Sequence, residues 1–315
     1  MPSLIKLERD RITSELQSVR RLLTELDDED VMSRFGLEDR ESDLIEELTA
    51  LDLQVDRNAA LGLFFGGKPV LGQRGIEAGF AATAVASFQD LVSKIMAKEL
   101  IGLGERGPIP QRQSSTMHIT NVVRGSFGFQ LEEMNDQGAI VETALEQAVE
   151  RAGKLLVAFT TEDESEFEEA VGETDERIVH VVRDIFRHLH QSDATFRYVT
   201  ADIDHSFSHP SVDLALQRAL TTELQEEPVG ITGSFGGFLP EGHMFEFQEE
   251  NGPLIRGRIA REVTAAEIAE WNQTLLGIGV YARFMRTSVL KDGEVTRQKF
   301  KLLGISSSLL DSDVE

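Results

Sequence analysis

The chain has 315 residues, a formal net charge of −24 and no cysteine. Its length accommodates two domains and an appendage, and its apolar fraction of 41% is that of a globular protein. Because there is no cysteine, disulfides and thiolate chemistry are excluded, and we expect a protein of the reducing cytoplasm. The acidic balance argues against broad binding of a phosphate backbone. It leaves room for a basic protein partner or for mimicry of nucleic acid.

No apolar run approaches the ~20 residues that are needed to span a bilayer. The first residues are charged and amphipathic and lack the apolar region of a signal peptide. We therefore expect no membrane association.

Residues 3–26 repeat apolar side chains at heptad-like spacing, which predicts an amphipathic helix. A second apolar stripe follows an acidic turn, so residues 1–57 are predicted to form a coiled-coil-like helical hairpin arm. The stripes consist of Ile5, Ile12, Leu16, Val19, Leu23 and Leu26, then Leu37, Leu44, Leu48, Leu51 and Val55. Because such a hairpin has too little core to stand alone, it packs either on the body of the protein or on another copy. A homo-oligomer is therefore an expectation.

Residues 58–226 are predicted to form a central α+β domain in which helices cover a mainly antiparallel sheet. At its centre, side chains that alternate between two faces over residues 114–134 predict a pair of antiparallel strands with a turn at 124–126. The alternation places Met117, Ile119, Asn121 and Val123 on one face of the first strand. Helices are predicted at about 76–97, 138–157, 162–171, 175–190 and 211–223.

From Val229 onward apolar residues alternate with a period of two, which is typical of β-strands. Turns are predicted at Gly236-Gly237, near Pro240, and at Asn251-Gly252. About five strands and one short helix predict a small SH3-like or OB-like β-barrel over residues 227–306. Residues 307–315 are predicted to be a disordered acidic tail.

A set of histidines and aspartates provides the candidates for catalysis. Imidazole and carboxylate groups bind divalent metals or act as general acids and bases. The set consists of Asp202, Asp204, His205 and His209, with His118 from the central strand pair. The spacing matches no strong motif such as HExxH, and a loop with helix-capping residues gives the same pattern. We therefore expect no metal and no cofactor, and keep a metal-dependent hydrolase or a nucleotide-handling enzyme as an alternative.

Lys68 and Arg74 are weak candidates for binding an anion, because they precede the N-terminus of a predicted helix. The glycine-rich segment 66–75 that contains them lacks the GxxxxGK[ST] pattern of a phosphate-binding loop. Turn geometry is the favoured explanation of these glycines.

Four arginines of the predicted barrel are candidates for a binding surface. They are Arg256, Arg258, Arg261 and Arg286. Residues at positions i and i+2 of a strand share a face, so a basic patch can form there and contact nucleic acid or an acidic partner. A solvated face balanced by neighbouring glutamates is the competing interpretation, and few aromatic residues accompany the cations.

The leading hypothesis is a non-catalytic interaction or assembly subunit that self-associates through its N-terminal helices and binds a protein partner. The amphipathic arm, the appended barrel and the lack of a recognisable catalytic set motivate it. A bacterial stress or antiviral defence complex is the setting that this architecture suggests. The alternatives are a metal-dependent hydrolase or nucleotide-handling enzyme, and a protein that associates with nucleic acid through the barrel.

Overall fold

The computed structural model describes residues 5–26, 30–52, 58–103, 107–123, 127–134, 141–240, 242–260 and 263–306. These residues form eight α-helices, one five-stranded sheet and one closed five-stranded barrel. The helices are α1 (Ile5–Glu25), α2 (Val31–Asp52), α3 (Ala78–Leu100), α4 (Ala144–Ala158), α5 (Glu164–Gly172), α6 (Glu176–Gln191), α7 (His209–Thr221) and α8 (Ala265–Thr274). The strands are β1 (Ala60–Gly67), β2 (His118–Val123), β3 (Phe127–Glu132), β4 (Ala194–Val199), β5 (Asp204–Phe207), β6 (Thr222–Leu239), β7 (Met244–Glu249), β8 (Leu254–Ile259), β9 (Gly279–Lys291) and β10 (Glu294–Ser306).

The chain divides into two compact units. The first comprises Met1–Glu162 and His180–Ala219, and the second comprises Asp163–Val179 and Leu220–Glu315. The five-stranded sheet belongs to the first unit, and the barrel and α5 belong to the second. The domain boundaries expected from the sequence, after residues 57, 226 and 306, stay predictions. No helix within the described ranges is long and apolar enough to cross a membrane.

Helices α1 and α2 bury their apolar stripes against each other. The cluster that they form consists of Ile12, Leu16, Val19, Leu44 and Leu51, with Leu23, Leu37 and Leu48 packed around it. Ion pairs join the rims of the two helices, between Arg20 and Glu41 at 2.7 Å and between Arg40 and Glu15 at 2.7 Å. The stripe positions Ile5 and Val55 lie outside the side chains that the structure describes.

The sheet of the first unit has the order β2-β3-β1-β4-β5, and all of its neighbouring strands are antiparallel. Helices cover one of its faces. The ring of Phe196 on β4 lies 5.4 Å from that of Phe88 on α3 and 6.2 Å from that of Phe186 on α6. The hydroxyl of the fully buried Tyr198 donates to the carbonyl of Val149 on α4 at 2.9 Å. This core fixes the positions of β4 and β5.

The central strand pair has a bulge that the alternation did not predict. Ile119 pairs with Leu131, but Asn121 pairs with Gln130, so the register shifts by one residue between them. Since neighbouring residues of a strand point to opposite faces, Asn121 lies on the face opposite Ile119, and the expectation that the two share a face was wrong. The side chain of Val123 lies outside those that the structure describes. The turn expected at 124–126 lies outside the described residues.

The barrel of the second unit closes in the order β10-β8-β7-β6-β9. Its first strand, β6, is 18 residues long and continues through Gly236-Gly237, where a bulge replaces the predicted turn. Its interior is dominated by phenylalanine: Phe235, Phe238, Phe245, Phe247 and Phe284 are all buried. The short helix α8 was predicted, and its Ile268 and Trp271 pack against this core. The tail expected at 307–315 lies outside the described residues.

Candidate functional site

Asp204 is part of an ion pair on the sheet of the first unit. The guanidinium of Arg197 donates from Nε and Nη2 to the two carboxylate oxygens of Asp204, both at 2.7 Å. The same guanidinium lies 5.7 Å from the centre of the Phe64 ring. The hydrogen bond with Asp204 raises the pKa of Arg197, and the carboxylate of Asp10 on α1 adds to this effect. Both oxygens of Asp204 are therefore already engaged by a side chain.

His205 points away from Asp204, because consecutive residues of a strand face opposite sides. It pairs in register with the buried Tyr198, and its ring lies 4.6 Å from that of Phe207. Burial lowers the pKa of His205, so its imidazole is neutral at neutral pH. These contacts are those of a histidine at the edge of a core.

The other three candidates lie apart from this pair. Asp202 is exposed before β5, and its backbone N–H donates to Glu150 Oε1 at 3.4 Å. His209 begins α7 and its Nδ1 lies 3.4 Å from Asp193 Oδ1. His118 is on β2, which three strands separate from β5. Nowhere in the part of the chain that the structure describes do three His, Asp or Glu side chains form a group that can hold a metal ion.

Lys68 and Arg74 lie in a loop that backbone hydrogen bonds organise. The N–H of Lys68 donates to the carbonyl of Asp193 at 3.0 Å, and that of Arg74 to Leu71 at 3.0 Å. Both side chains are exposed. The residue before α3 is Glu77, whose carboxylate adds negative charge where an anion would bind the helix N-terminus. Turn geometry accounts for this segment.

The candidate arginines of the barrel pair with glutamates. Arg256 Nε donates to Glu246 at 2.8 Å, Arg258 Nη2 donates to Glu173 at 2.8 Å, and Arg286 pairs with Glu227. Arg261 lies outside the described residues. The surface that these cations form is therefore balanced by carboxylates.

Further cations of the barrel hold the acidic helix α5. Lys291 Nζ lies 2.6 Å from Glu164 Oε1, and Arg297 Nη1 donates to the carbonyl of Ser165 at 3.2 Å. Lys299 Nζ donates to the carbonyl of Glu169 at 2.7 Å, and burial lowers the pKa of this lysine. These cations thus bind helix α5 and are not available to the phosphates of a nucleic acid. This weakens the alternative hypothesis that the barrel binds nucleic acid.

Two buried glutamates on α4 were not among the sequence candidates. Glu146 and Glu150 are 8% and 9% exposed and lie one helical turn apart. Glu146 accepts from the backbone N–H of Ala60, and Glu150 accepts from the hydroxyl of Thr200. The Oε2 atom of each is buried and has no hydrogen-bond partner among the described residues. The sequence offered only a weak signal: two acidic positions beside the apolar stripe of a helix.

Burial dominates the electrostatics of this carboxylate pair. Burial is the largest cause that raises the pKa of Glu146 to about 8, and the neighbouring charge of Glu150 is the second. Burial also raises the pKa of Glu150, against the hydrogen bond from Thr200. Glu146 is therefore mostly protonated at neutral pH. Among the described residues, no third ligand group makes this pair a metal centre.

A groove of about 610 Å³ lies between α3 and α6 in the first unit. Small side chains of α3 form much of its lining, and charged side chains stand at its rim. It is lined by Ala82, Thr83, Ala86, Ser87, Asp90, Lys94, Arg112, His180, Val181 and Asp184. Neither Asp202 nor His205 lines this groove, so the concavity and the predicted catalytic set do not coincide.

Exposed apolar side chains gather where α1 ends and α2 begins. Met32 and Phe35 are 84% and 71% exposed, and Leu22 is 46% exposed. Exposed apolar side chains that form a patch mark an interaction surface more often than isolated ones do. We name Leu22, Met32 and Phe35 the apolar tip.

No protein-family model, no curated protein and no solved structure matches this chain. Its function therefore has to be inferred from its own residues and contacts.

Proposed function

We propose that this protein is a non-catalytic assembly subunit that self-associates through its N-terminal helices. The observation that carries the proposal is the exposure of Met32 and Phe35 on α2. The apolar stripe of α2 is already covered by α1, so Met32 and Phe35 are apolar surface beyond what the pairing of these helices uses. Covering them with a second copy removes apolar surface from water, which stabilises by about 25 cal/mol per Å².

The finer architecture belongs to the same proposal. Residues 1–57 form a helical hairpin arm, and the ion pairs Arg20–Glu41 and Arg40–Glu15 support this arrangement of α1 and α2. The barrel is a small module of the SH3-like or OB-like class, and its closed order of five strands supports this assignment. In this view the arm assembles copies, while the barrel is available to a protein partner. We place the protein in the cytoplasm on the basis of its cysteine-free composition.

Two observations favour assembly over catalysis. The predicted acid–base residues Asp204 and His205 face opposite sides of the sheet. Arg197 also binds both carboxylate oxygens of Asp204. The groove between α3 and α6 contains neither Asp202 nor His205. A hydrolase would require such groups to converge on one position.

The test is the molar mass in solution of full-length wild type and of the double variant Met32→Ser/Phe35→Ser, measured by light scattering. The variant removes the two most exposed of the apolar side chains that the structure describes on α2, so we expect it to be a monomer while the wild type is larger.

The matched control is Leu71→Ser/Val141→Ser, because these side chains are 73% and 78% exposed and lie outside the arm. It should retain the mass of the wild type. If wild type and both double variants share the mass of one chain, the proposed self-association is wrong.

A further inference from the structure

We propose that the edge strand β2 pairs antiparallel with β2 of a second copy about a twofold axis, so that the two five-stranded sheets join. This contact is separate from the apolar tip, and it gives the protein a second surface that binds another copy. The exposure, the composition and the bulge of β2 support it.

β2 is an open edge of the sheet in the first unit. Its inner side pairs with β3, and no strand in the described part of the chain pairs with its outer side. The side chains of residues 118–122 are all exposed, with Ile119 at 53% and Val122 at 47%. The outer side of an edge strand presents a row of unpaired backbone N–H and C=O groups, which another extended strand satisfies. The occupant of this edge is therefore an extended strand.

The two edges of the sheet differ in their protection against such pairing. Native edge strands are kept apart by short length, charged side chains, proline or bulges. β5, at the other edge, has only four residues and begins with Asp204. β2 has six residues and contains no proline, carboxylate, lysine or arginine. Of these protections β2 has only its bulge.

The bulge places Ile119 and Val122 on one face of β2. In a regular strand, two residues that are three positions apart face opposite sides. Here the register partners of Ile119 and Val122 are Leu131 and Phe129, which are two positions apart on β3 and therefore share a face. Because residues directly opposite each other in a sheet also share a face, the two exposed apolar side chains of β2 lie on the same side.

This arrangement makes β2 complementary to itself. A twofold axis between Thr120 and Asn121 brings Ile119 opposite Val122 of the second copy, and Val122 opposite Ile119 of the second copy. The four apolar side chains then gather on one side of the joined sheet, where cross-strand pairs of this kind stabilise the pairing. His118 lies opposite position 123 in this register, so the two imidazoles do not face each other.

Charge favours a second copy as the occupant. Copies of net charge −24 repel each other, so a contact between them belongs where carboxylates are absent, and β2 meets this condition. Paired with itself, it brings no like charges directly opposite. Two six-residue strands form a contact well below the roughly 1,200 Å² of a stable interface, so the pairing alone is weak. The variant without the apolar tip is therefore still expected to have the mass of one chain.

The experiment is disulfide trapping, which a cysteine-free chain makes unambiguous. Full-length Ile119→Cys and Val122→Cys are mixed in equal amounts and oxidised. Opposite Cα atoms of antiparallel strands are about 4.5–5.5 Å apart, within reach of a disulfide. Two identical cysteines are offset by about 10 Å along the strands in this register, which is beyond that reach. Both positions are exposed, and circular dichroism confirms that each variant is folded.

Each single variant oxidised alone is the matched control for the register. A mixture of Leu71→Cys and Val141→Cys reports random encounters, because both side chains are exposed and lie outside β2. The whole experiment is repeated in the Met32→Ser/Phe35→Ser background, which lacks the apolar tip.

We expect the mixture to form a cross-linked dimer at least about tenfold faster than either single variant or the control pair, in both backgrounds. Mass spectrometry should identify the disulfide between positions 119 and 122.

A mixture that cross-links no faster than the control pair overturns the pairing of β2 with itself and leaves this edge to a strand of another protein. Single variants that cross-link as fast as the mixture overturn the register. Cross-linking that is lost together with the apolar tip overturns the separation of the two surfaces. A wild type that has the mass of one chain, beside a mixture that cross-links as expected, refutes the proposed function and leaves the pairing of β2 standing.

Discussion

At the scale of single residues, the least expected feature is the protonated carboxyl of Glu146. It sits in the first turn of α4 and accepts a hydrogen bond from the backbone N–H of Ala60 at the start of β1, while its Oε2 atom has no partner among the described residues. Ionising it places a charge in a desolvated position next to Glu150. The protein therefore holds a proton that its unfolded chain releases.

This makes stability depend on pH in a definite direction. The pKa of Glu146 is about 8 in the fold against an ordinary value of 4.5, so the folded state binds more protons over this interval. The stability that the bound proton supplies is present in full below about pH 4.5 and is lost as the pH rises through about 8. The difference corresponds to at most about 5 kcal/mol.

Glu146→Gln is therefore expected to stabilise the protein at pH 8.5 by about 1–3 kcal/mol relative to wild type, and to change little at pH 5. The amide keeps the shape of the protonated acid and cannot ionise. Denaturant unfolding at both pH values measures the effect. The exposed Glu77→Gln serves as the control, and its effect on the free energy of unfolding should be small and the same at both pH values. A gain from Glu146→Gln that is the same at pH 5 and pH 8.5 would contradict the assignment.

The ion pair of Asp204 provides a second prediction at this scale. Asp204→Asn removes a carboxylate that binds Arg197 in two places, and we expect a loss of about 1 kcal/mol in the free energy of unfolding. A double-mutant cycle with Arg197→Met should assign most of this loss to the pair.

The same variant separates this structural role from the hydrolase alternative. If Asp204 were a metal ligand, Mn²⁺ or Zn²⁺ would raise the melting temperature of wild type, and Asp204→Asn would abolish that rise. We expect neither ion to raise the melting temperature of either protein.

At the scale of elements, closure of the barrel depends on a glycine. β8 and β10 are parallel neighbours, and Gly257 pairs with Phe300 across them. A Cβ atom at Gly257 would lie 2.1 Å from the carbonyl oxygen of Phe300 and 2.8 Å from the Phe245 ring. No side chain fits there unless the two strands separate.

Gly257→Ala is accordingly expected to destabilise the barrel by at least about 2–3 kcal/mol, because it combines overpacking with loss of strand pairing. Gly237→Ala is the matched control, since a Cβ there meets nothing within 4 Å. Thermal unfolding of both variants, followed by the fluorescence of the single tryptophan, Trp271, reports on this unit. Equal melting temperatures for the two variants would show that the strands tolerate a side chain between them.

Helix α5 supports a prediction about nucleic acid. Four cations on β8, β9 and β10 contact this acidic helix or the residue that follows it, namely Arg258, Lys291, Arg297 and Lys299. Wild type is expected not to bind a single-stranded oligonucleotide even at low salt, because these cations are already balanced. Fluorescence anisotropy at ~20 mM salt measures it, and tight, steeply salt-dependent binding would revive the nucleic-acid alternative.

The sequence pattern predicted the elements better than their registers. The stripe of α1 and α2, the helix α8 and the presence of a small barrel follow from periodicity, because burial imposes that periodicity on each element. Strand β5 was not predicted, because its four residues, Asp204–Phe207, are mostly polar and gain their strand structure from pairing with β4. The bulge at Asn121 was missed because it depends on the partner strand rather than on the strand itself.

The sites were harder to predict than the elements, for a related reason. Whether Asp204 and His205 converge is decided by which face of a strand each occupies, and that required the strand to be recognised first. Two carboxylates that do lie close together, those of Glu146 and Glu150, belong to the buried face of α4, where periodicity predicts only apolar residues. The pairing of Arg258 with Glu173 spans 85 positions of sequence and has no local signal.

At the scale of the whole molecule, net charge disfavours the association of two copies, whereas exposed apolar surface favours it. A net charge of −24 repels a second copy over a range of about 10 Å at 0.1 M salt. The apolar tip acts only on contact. Association through the tip is therefore expected to strengthen as salt is added, in contrast to association that ion pairs dominate.

The most direct measurement is sedimentation equilibrium of the unmodified protein over a range of concentrations at 0.05 and 0.5 M salt. The account predicts a mass above the 35.0 kDa of one chain that increases with concentration and is higher at 0.5 M salt. A mass that remains at 35.0 kDa at every concentration and both salt levels would contradict it.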